Sequence, residues 1–494
     1  GTYFSVLLTL QIVAMYLVIP LMTAGAIAAE RQRETLVLLL LSPLTPWQII
    51  LQKYLSRMAP VLSFVFLSFP LLAITYTFGG VTVPELMLGI AALVFVCLEL
   101  GAFGVMCSTG CATTAQALGA TYVGAILFPW LCSGVCCTLP AAGLGHSAHV
   151  SHIAAVVAAG FCVFTTAACL TIAETVLAAR AFVAAQRSVP PIFRLIDGFF
   201  ETLNAVAGGI VLWRDRPSLP ITAPIRWRET RKRSLGTPRY LARVLLALEL
   251  PVLVLAPAIR VYASPGVQDR ALSLVLGLTW MTASLLVSVF AASIVAQERS
   301  KQTLTVLLTC PLSGRQILEQ KLAGVDRLTV VLALPIITLI LFETWWHAPG
   351  SALFLFLSAL TLVYLPCVKW LAAILGLRMR TQLIAVVTTV LLLAAWAGVP
   401  SLAVSLLSQF HLDRPAVHEL ALVVSPVEAL RAIQKIATSG RFTVPGAPAP
   451  FRALGLHFAI YIGLWFLFRL RCLRNVDRRL GRIPPPGMTR ASAS

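Results

Sequence analysis

Eleven stretches of about 20 apolar residues, the length a bilayer core demands, recur along this chain between short polar runs. They cover Phe4–Ile27, Met58–Phe78, Leu86–Met106, Ala117–Leu139 and Ile153–Leu177. Beyond a long basic stretch follow Val244–Tyr262, Leu272–Val295, Leu328–Trp346, Ala352–Leu375, Leu383–Leu407 and Ala453–Leu470. None alternates apolar and polar positions as a barrel strand does, and a lone segment in lipid satisfies its backbone only by coiling, so each is predicted to be a helix. The expected fold class is therefore all-α integral membrane, a polytopic helical bundle.

Two of the polar runs are copies of one another. Glu30–Lys53 (ERQRETLVLLLLSPLTPWQIILQK) and Glu298–Lys321 (ERSKQTLTVLLTCPLSGRQILEQK) lie 268 positions apart and agree without a gap at 12 of 24 positions. Self-similarity at a fixed offset predicts a duplicated architecture. Within each copy, charges come first and leucines after, so Glu30–Leu41 reads as one helix lying in the membrane interface, apolar face down. Pro43 ends it. Thr45-Pro46-Trp47-Gln48 then fits a capping box with proline at the first helical position, and Ser313-Gly314-Arg315-Gln316 repeats the Ser/Thr-x-x-Gln spacing. Each block is predicted to be a helix, a tight turn and a second short helix ending at Lys53 or Lys321. A loop that merely joins two spans has no reason to keep caps and charged ends twice, which favours a hairpin that docks a cytoplasmic partner.

The duplication predicts more chain than is present. Val244–Tyr262 precedes the span that leads into the second block, and its counterpart 268 positions earlier would fall at −24 to −6. The chain opens with Gly1 inside an apolar run. The expectation is a truncated amino end and an intact protein of twelve spans in two sixes; an even number per repeat makes the repeats parallel. The domains read as 1–179, a first half lacking its first span; 180–243, a basic linker and elbow; 244–471, a second half; and 472–494, a tail.

Charge gives the orientation. Apolar residues make up 59% of the chain and charged ones 12%, against roughly 45–50% and about 25% in soluble proteins. Thirty of the 38 Lys and Arg residues fall on one face: both repeated blocks with Arg57 and Arg327 just after them, the stretch 180–243, Arg378 and Arg380, and the tail from Arg469. Arg270, Arg414, Arg431, Lys435, Arg441 and Arg452 lie on the other, while Arg260 and Lys369 fall inside spans. The positive-inside rule makes the repeated blocks and the carboxyl end cytoplasmic in a multi-pass protein of the plasma membrane. The net charge of +19 then suits anionic lipid headgroups, not nucleic acid. Its densest patch, Arg226–Arg233, precedes a span as an interfacial elbow helix would.

These residues carry a family resemblance. The pattern E-R-x-x-x-T-L-x-x-L-L-x-x-P-L-[ST]-x-x-Q-I followed by Lys resembles the cytoplasmic loop of ABC type-2 transporter permeases, and Pro224-Ile225-Arg226-Trp227-Arg228-Glu229 looks like the elbow that opens such a permease half. The resemblance implies a fused pair of exporter transmembrane domains, with coupling helices around Pro43–Lys53 and Pro311–Lys321 seated in grooves of an ATPase. The implied docking residues are Glu30, Arg31, Thr35, Pro43, Thr45, Gln48 and Lys53 in the first block. In the second they are Glu298, Arg299, Thr303, Pro311, Ser313, Gln316 and Lys321. The loop Pro140–Ser151 is much shorter than its counterpart Ser408–Arg452, so the halves are expected to contribute unequally.

The chain holds no G-x-x-x-x-G-K-[ST] and no soluble stretch long enough for a nucleotide-binding fold. Leu312-Ser313-Gly314-Arg315-Gln316 imitates the ABC signature LSGGQ but aligns with the capping turn of the first block. The chain is thus expected not to be an enzyme and to carry no cofactor; ATP and Mg belong to partners, two copies of a cytoplasmic ABC ATPase subunit. Cys132, Cys136 and Cys137, and likewise Cys107 with Cys111, have a spacing at which thiolates hold a soft ion. Cysteine as a small apolar packing residue is the preferred reading, and no metal site is assigned.

Burying an ionisable group in a span costs roughly 2.5–3.5 kcal/mol, which singles out Glu99 and Lys369. With 268 subtracted, Lys369 falls at position 101, two from Glu99, so a pairing across a pseudo-twofold axis and separate snorkelling both stand as expectations. Glu174 and Glu249 lie near span ends and are expected to snorkel. Pro415–Val424 and Pro426–Thr438 read as short helices, either capping the outer mouth of a route or making a plain surface excursion. Two other classes of function remain: a secondary transporter with parallel repeats, ion-coupled through Glu99, and a non-transporting, ATP-coupled membrane scaffold working through Ser408–Arg452.

Overall fold

The computed structural model describes residues 2–77, 81–111, 113–131, 152–180, 223–231, 238–262, 265–300, 303–347, 351–379, 381–409, 415–439 and 450–480. Among them no strand occurs, and ten helices are long and apolar enough to cross a membrane. The chain is an all-α polytopic membrane protein. Of the eleven predicted spans, the fourth is described only as Thr114–Leu131. The remainder of that span with Cys132, Cys136 and Cys137, and most of the basic linker, lie outside the described residues.

The chain divides into two compact units, Gly1–Ser188 and Val189–Ser494. In the first, α1 (Thr2–Thr23), α2 (Ala28–Gln32) and α3 (Leu36–Leu40) lead to α4 (Pro46–Thr77), α5 (Val83–Gly110), α6 (Thr114–Leu131) and α7 (His152–Arg180). Helix α5 lies at the centre, packed on α1, α4, α6 and α7. Its start is fixed by a capping box: Thr82 N–H donates to Glu85 Oε2 (2.9 Å) and Glu85 N–H to Thr82 Oγ1 (3.4 Å). Leu93, Cys97 and Ala102 are fully buried along it. Close approach to α1 depends on Gly104, where an added Cβ would fall on the Thr23 side chain.

The second unit runs α8 (Pro224–Arg231), α9 (Pro238–Tyr262), α10 (Pro265–Ser300), α11 (Leu304–Leu308), α12 (Gly314–His347), α13 (Ser351–Arg378) and α14 (Gln382–Gln409). Then come α15 (Pro415–Val424), α16 (Pro426–Ser439), α17 (Pro450–Arg474) and α18 (Val476–Leu480). Helix α13 occupies the centre, against α10, α12, α14 and α17. Gly376 lets α13 meet α10 backbone to backbone, since a Cβ there would strike the carbonyl of Ala292. Around α13 an aromatic cluster forms: Trp280–Tyr364 (4.5 Å between centroids), Tyr364–Tyr461 (5.9 Å), Trp396–Tyr461 (5.3 Å, stacked) and His457–Tyr461 (4.3 Å, stacked). Such contacts add about 0.5–1.5 kcal/mol each beyond area burial.

Two expectations about the hairpins are corrected. Glu30–Leu41 is not one helix: α2 and α3 are separated at Arg33–Thr35, where Glu34 takes φ 62°. Nor does the second helix end at Lys53 or Lys321; it continues through the following span as α4 or α12. No breaker stands at either lysine, and both turn inward to a carboxylate instead. The short helices α15 and α16 form where the apolar spacing placed them, but they are no plain surface excursion. Ser425 between them is buried, its hydroxyl donating to the Ala397 carbonyl (2.9 Å), and the carbonyls ending α15 are met by His457 Nδ1 (2.9 Å) and Tyr461 OH (2.8 Å).

Candidate functional site: two membrane-edge hairpins

The first hairpin begins where α2 stops. Thr35 N–H donates to the Glu30 carbonyl (3.0 Å) and Glu34 N–H to the Arg31 carbonyl (3.2 Å), the paired bonds of a Schellman closure with Glu34 in the left-handed position. That closure brings Thr35 back over Glu30, so its Oγ1 donates to Glu30 Oε2 (2.5 Å). The other carboxylate oxygen takes Lys53 Nζ at 2.7 Å, from a residue 23 positions along. Glu30 thus ties the descending and returning limbs together at their base. Arg31 does the same for the next loop, its Nη1 donating to the Cys111 carbonyl (2.8 Å) beyond the end of α5.

The second hairpin repeats the bonds of the glutamate, threonine, lysine and arginine. Thr303 N–H donates to the Glu298 carbonyl (3.1 Å), Thr303 Oγ1 donates to Glu298 Oε2, and Lys321 Nζ meets Glu298 Oε1 at 2.6 Å. Arg299 Nη1 donates to the Met379 carbonyl (2.7 Å). Met379 and Cys111 are themselves 268 apart, so the correspondence extends past the matching blocks into the loop after the central helix. Both capping boxes form. Thr45 N–H donates to Gln48 Oε1 (3.0 Å) and Gln48 N–H to Thr45 Oγ1 (3.3 Å); the Ser313–Gln316 bonds are 3.0 and 3.2 Å. The LSGGQ-like stretch is therefore a helix start. Pro43 and Pro311 are exposed in the turns.

Two partners of the second hairpin are absent from the sequence reading. The elbow helix α8 packs on α12, with Ile225 and Glu229 buried and Trp227 facing out. Gln320 Oε1 accepts from Ile225 N–H (3.2 Å) and Arg226 N–H (3.4 Å), holding the exposed donors of the helix start. Glu229 reaches Lys321 Nζ at 3.1 Å, and Arg228 approaches Glu298 at 3.9 Å. Lys321, 4% exposed, therefore sits between two carboxylates, whereas the Lys53 side chain is 26% exposed.

The carboxyl-terminal helix α18 is the other partner. Asp477 Oδ1 accepts from Gly314 N–H (3.0 Å), and Leu480 closes a small apolar crevice lined by Val295, Leu304, Leu307, Ile317 and Leu318. Position 314 matches Pro46, which has no N–H to satisfy, so only the second copy has a donor for the tail to take. The Arg479 guanidinium is held below its ordinary value, first by burial and then by Arg378 and by Arg471.

The two intramembrane residues each find a partner in their own unit. Glu99 on α5, 3% exposed, accepts from Thr165 Oγ1 (2.5 Å) and faces Cys162 Sγ (3.7 Å), both on α7. Lys369 on α13 pairs with Asp326 on α12 and lies over the Trp370 ring (5.0 Å). Glu249 is also engaged, accepting from Thr338 Oγ1 at 2.8 Å. Charge patterning pointed to Glu99 and Lys369 but not to their partners, since a threonine inside one span and an aspartate just before another carry no local signal. No family model, curated protein or solved structure matches the chain.

Proposed function

We propose that the chain is the transmembrane permease component of an ATP-binding-cassette exporter, built as two parallel repeats. Separate ATPase subunits, which hold ATP and Mg, dock at the two hairpins, and these, with the carboxyl end, face the cytoplasm of a plasma-membrane protein. The observation that carries this reading is one constellation made twice. Glu30, Thr35, Lys53 and Arg31 bond as Glu298, Thr303, Lys321 and Arg299 do. Each set ties the base of a hairpin to a central helix, which is what transmitting a push from a docked subunit into the bundle requires. A ligand-driven change needs differential contacts in the two states, and the exposed turns are where an ATPase would make them.

The test is co-purification of the full-length chain from detergent, comparing wild type with both turns replaced by Gly-Ser and with Glu30→Ala/Glu298→Ala. Recovery of a Walker-A ATPase by wild type and its loss from the turn variant supports the reading; wild type bringing down none sinks it. One observation favours a second reading, ion coupling: Glu99 is a buried carboxylate with hydroxyl and thiol neighbours inside a span. Glu99→Gln would then abolish substrate uptake driven by an ion gradient in vesicles lacking any ATPase.

A further inference from the structure

The two hairpins share their base but not their tips, and this inference rests on the docking reading above. At matching positions Leu41 stands against Thr309, Trp47 against Arg315, and Leu51 against Glu319. Leu41 is 73% exposed and Trp47 36% exposed, so the first tip presents an apolar ridge. The second presents charge: Arg315, with a 61% exposed side chain, pairs with Glu319 at 3.5 Å along the same helix face. Its helix start is clasped by Asp477 of α18, which makes the tip composite.

A single kind of socket cannot serve both. One that desolvates Leu41 and Trp47 would strip water from the exposed Arg315–Glu319 ion pair, which is costly. One that carries an acidic partner for Arg315 would leave that carboxylate unpaired against an indole. We infer that the hairpins dock two non-identical ATPase subunits: one with an apolar socket for Leu41 and Trp47, the other with an acidic socket for the composite tip of Arg315 and α18.

The matched positions Leu38 and Val306, 69% and 68% exposed, suit a photo-crosslinking amino acid placed singly in the full-length chain and irradiated in its host membrane. Mass spectrometry of the adducts should find two different polypeptides containing G-x-x-x-x-G-K-[ST], one per position. The same ATPase at both positions overturns the inference while leaving the docking reading intact; no Walker-A polypeptide at either overturns both. Two variants sharpen the result. Leu41→Thr/Trp47→Arg should cut capture at position 38 at least tenfold and leave position 306 unchanged. Asp477→Asn/Leu480→Ala should do the reverse, and equal losses at both positions from either variant count against separate sockets.

Discussion

At the membrane edge, the two units hold a glutamate, threonine, lysine and arginine in the same bonds, with Lys–Glu distances of 2.7 and 2.6 Å and Arg–carbonyl distances of 2.8 and 2.7 Å. A few turns further into the helices the likeness stops. Met58 covers Gly101 in the first unit, whereas the positions 268 later hold Asp326 and Lys369 as an ion pair. Beside the central helix, one unit has Glu99 with Thr165 and the other a stack of Tyr364, Tyr461, Trp396 and His457. The constellation at the base of the hairpins keeps one geometry in both units; the interior holds two different chemistries.

The elbow gives the most direct way to break the comparison. Lys321 is enclosed and bound to two carboxylates, Lys53 half-open and bound to one. Lys321→Met leaves Glu298 and Glu229 with no cation nearer than the half-exposed Arg228 at 3.9 Å and should destabilise the second unit by about 3–5 kcal/mol. Lys53→Met should cost about 1 kcal/mol or less. Denaturant unfolding of the purified chain in detergent, followed by proteolysis to tell the units apart, measures both. Equal losses would show that Glu229 adds nothing.

Glycine packing sharpens the interior half of the contrast. Gly376→Ala puts a methyl against the backbone carbonyl of Ala292, which cannot move without its helix; about 1–3 kcal/mol should be lost. Gly101→Ala meets instead the sulfur end of Met58, a flexible side chain that can turn away, and the loss should stay under about 1 kcal/mol. The same unfolding series ranks them, and the reverse order would contradict the packing.

The ion pair at the Met58/Gly101 position comes next in size. Asp326→Met and Lys369→Gly together install the first unit's letters in the second. A double-mutant cycle should return a coupling of about 1 kcal/mol, because Asp326→Met alone strands the enclosed Lys369 charge and the double change does not. Additive effects would mean that Asp326, more than half exposed along its side chain, contributes nothing to holding Lys369.

What could be read in advance follows from range. The capping boxes were legible because donor and acceptor stand three residues apart, and Pro46 or Gly314 left the spacing untouched. The base glutamates and lysines were legible because they recur, although their bonds were not. Glu229 and Asp477 act on the hairpin from 92 and 163 residues away; the elbow motif includes Glu229, but nothing local to either acid names the hairpin as its partner. Matching depth leaves both a Glu99–Lys369 pairing and separate snorkelling open, because depth in a span says nothing of azimuth; the acid that Lys369 meets within its own unit, Asp326, is 43 residues back on an adjoining helix.

The break between α2 and α3 escaped notice for a different reason, and it supplies the smallest predicted effect. Helices that end in a Schellman closure usually place glycine at the left-handed residue; here it is Glu34, with φ 62°. A side chain in that region crowds the following carbonyl at a cost of about 1–2 kcal/mol, part of which glycine returns as chain entropy in the unfolded state. Glu34→Gly should therefore stabilise the first unit by about 0.5–1 kcal/mol, while Glu34→Ala should not. The pair separates backbone relief from loss of the carboxylate, since both variants remove the charge and only one removes Cβ. If alanine stabilised as much as glycine, the strain would lie in the glutamate's charge beside Glu30 and not in the turn, and the closure that carries Thr35 back over Glu30 would have to be supported by the Thr35–Glu30 bonds alone.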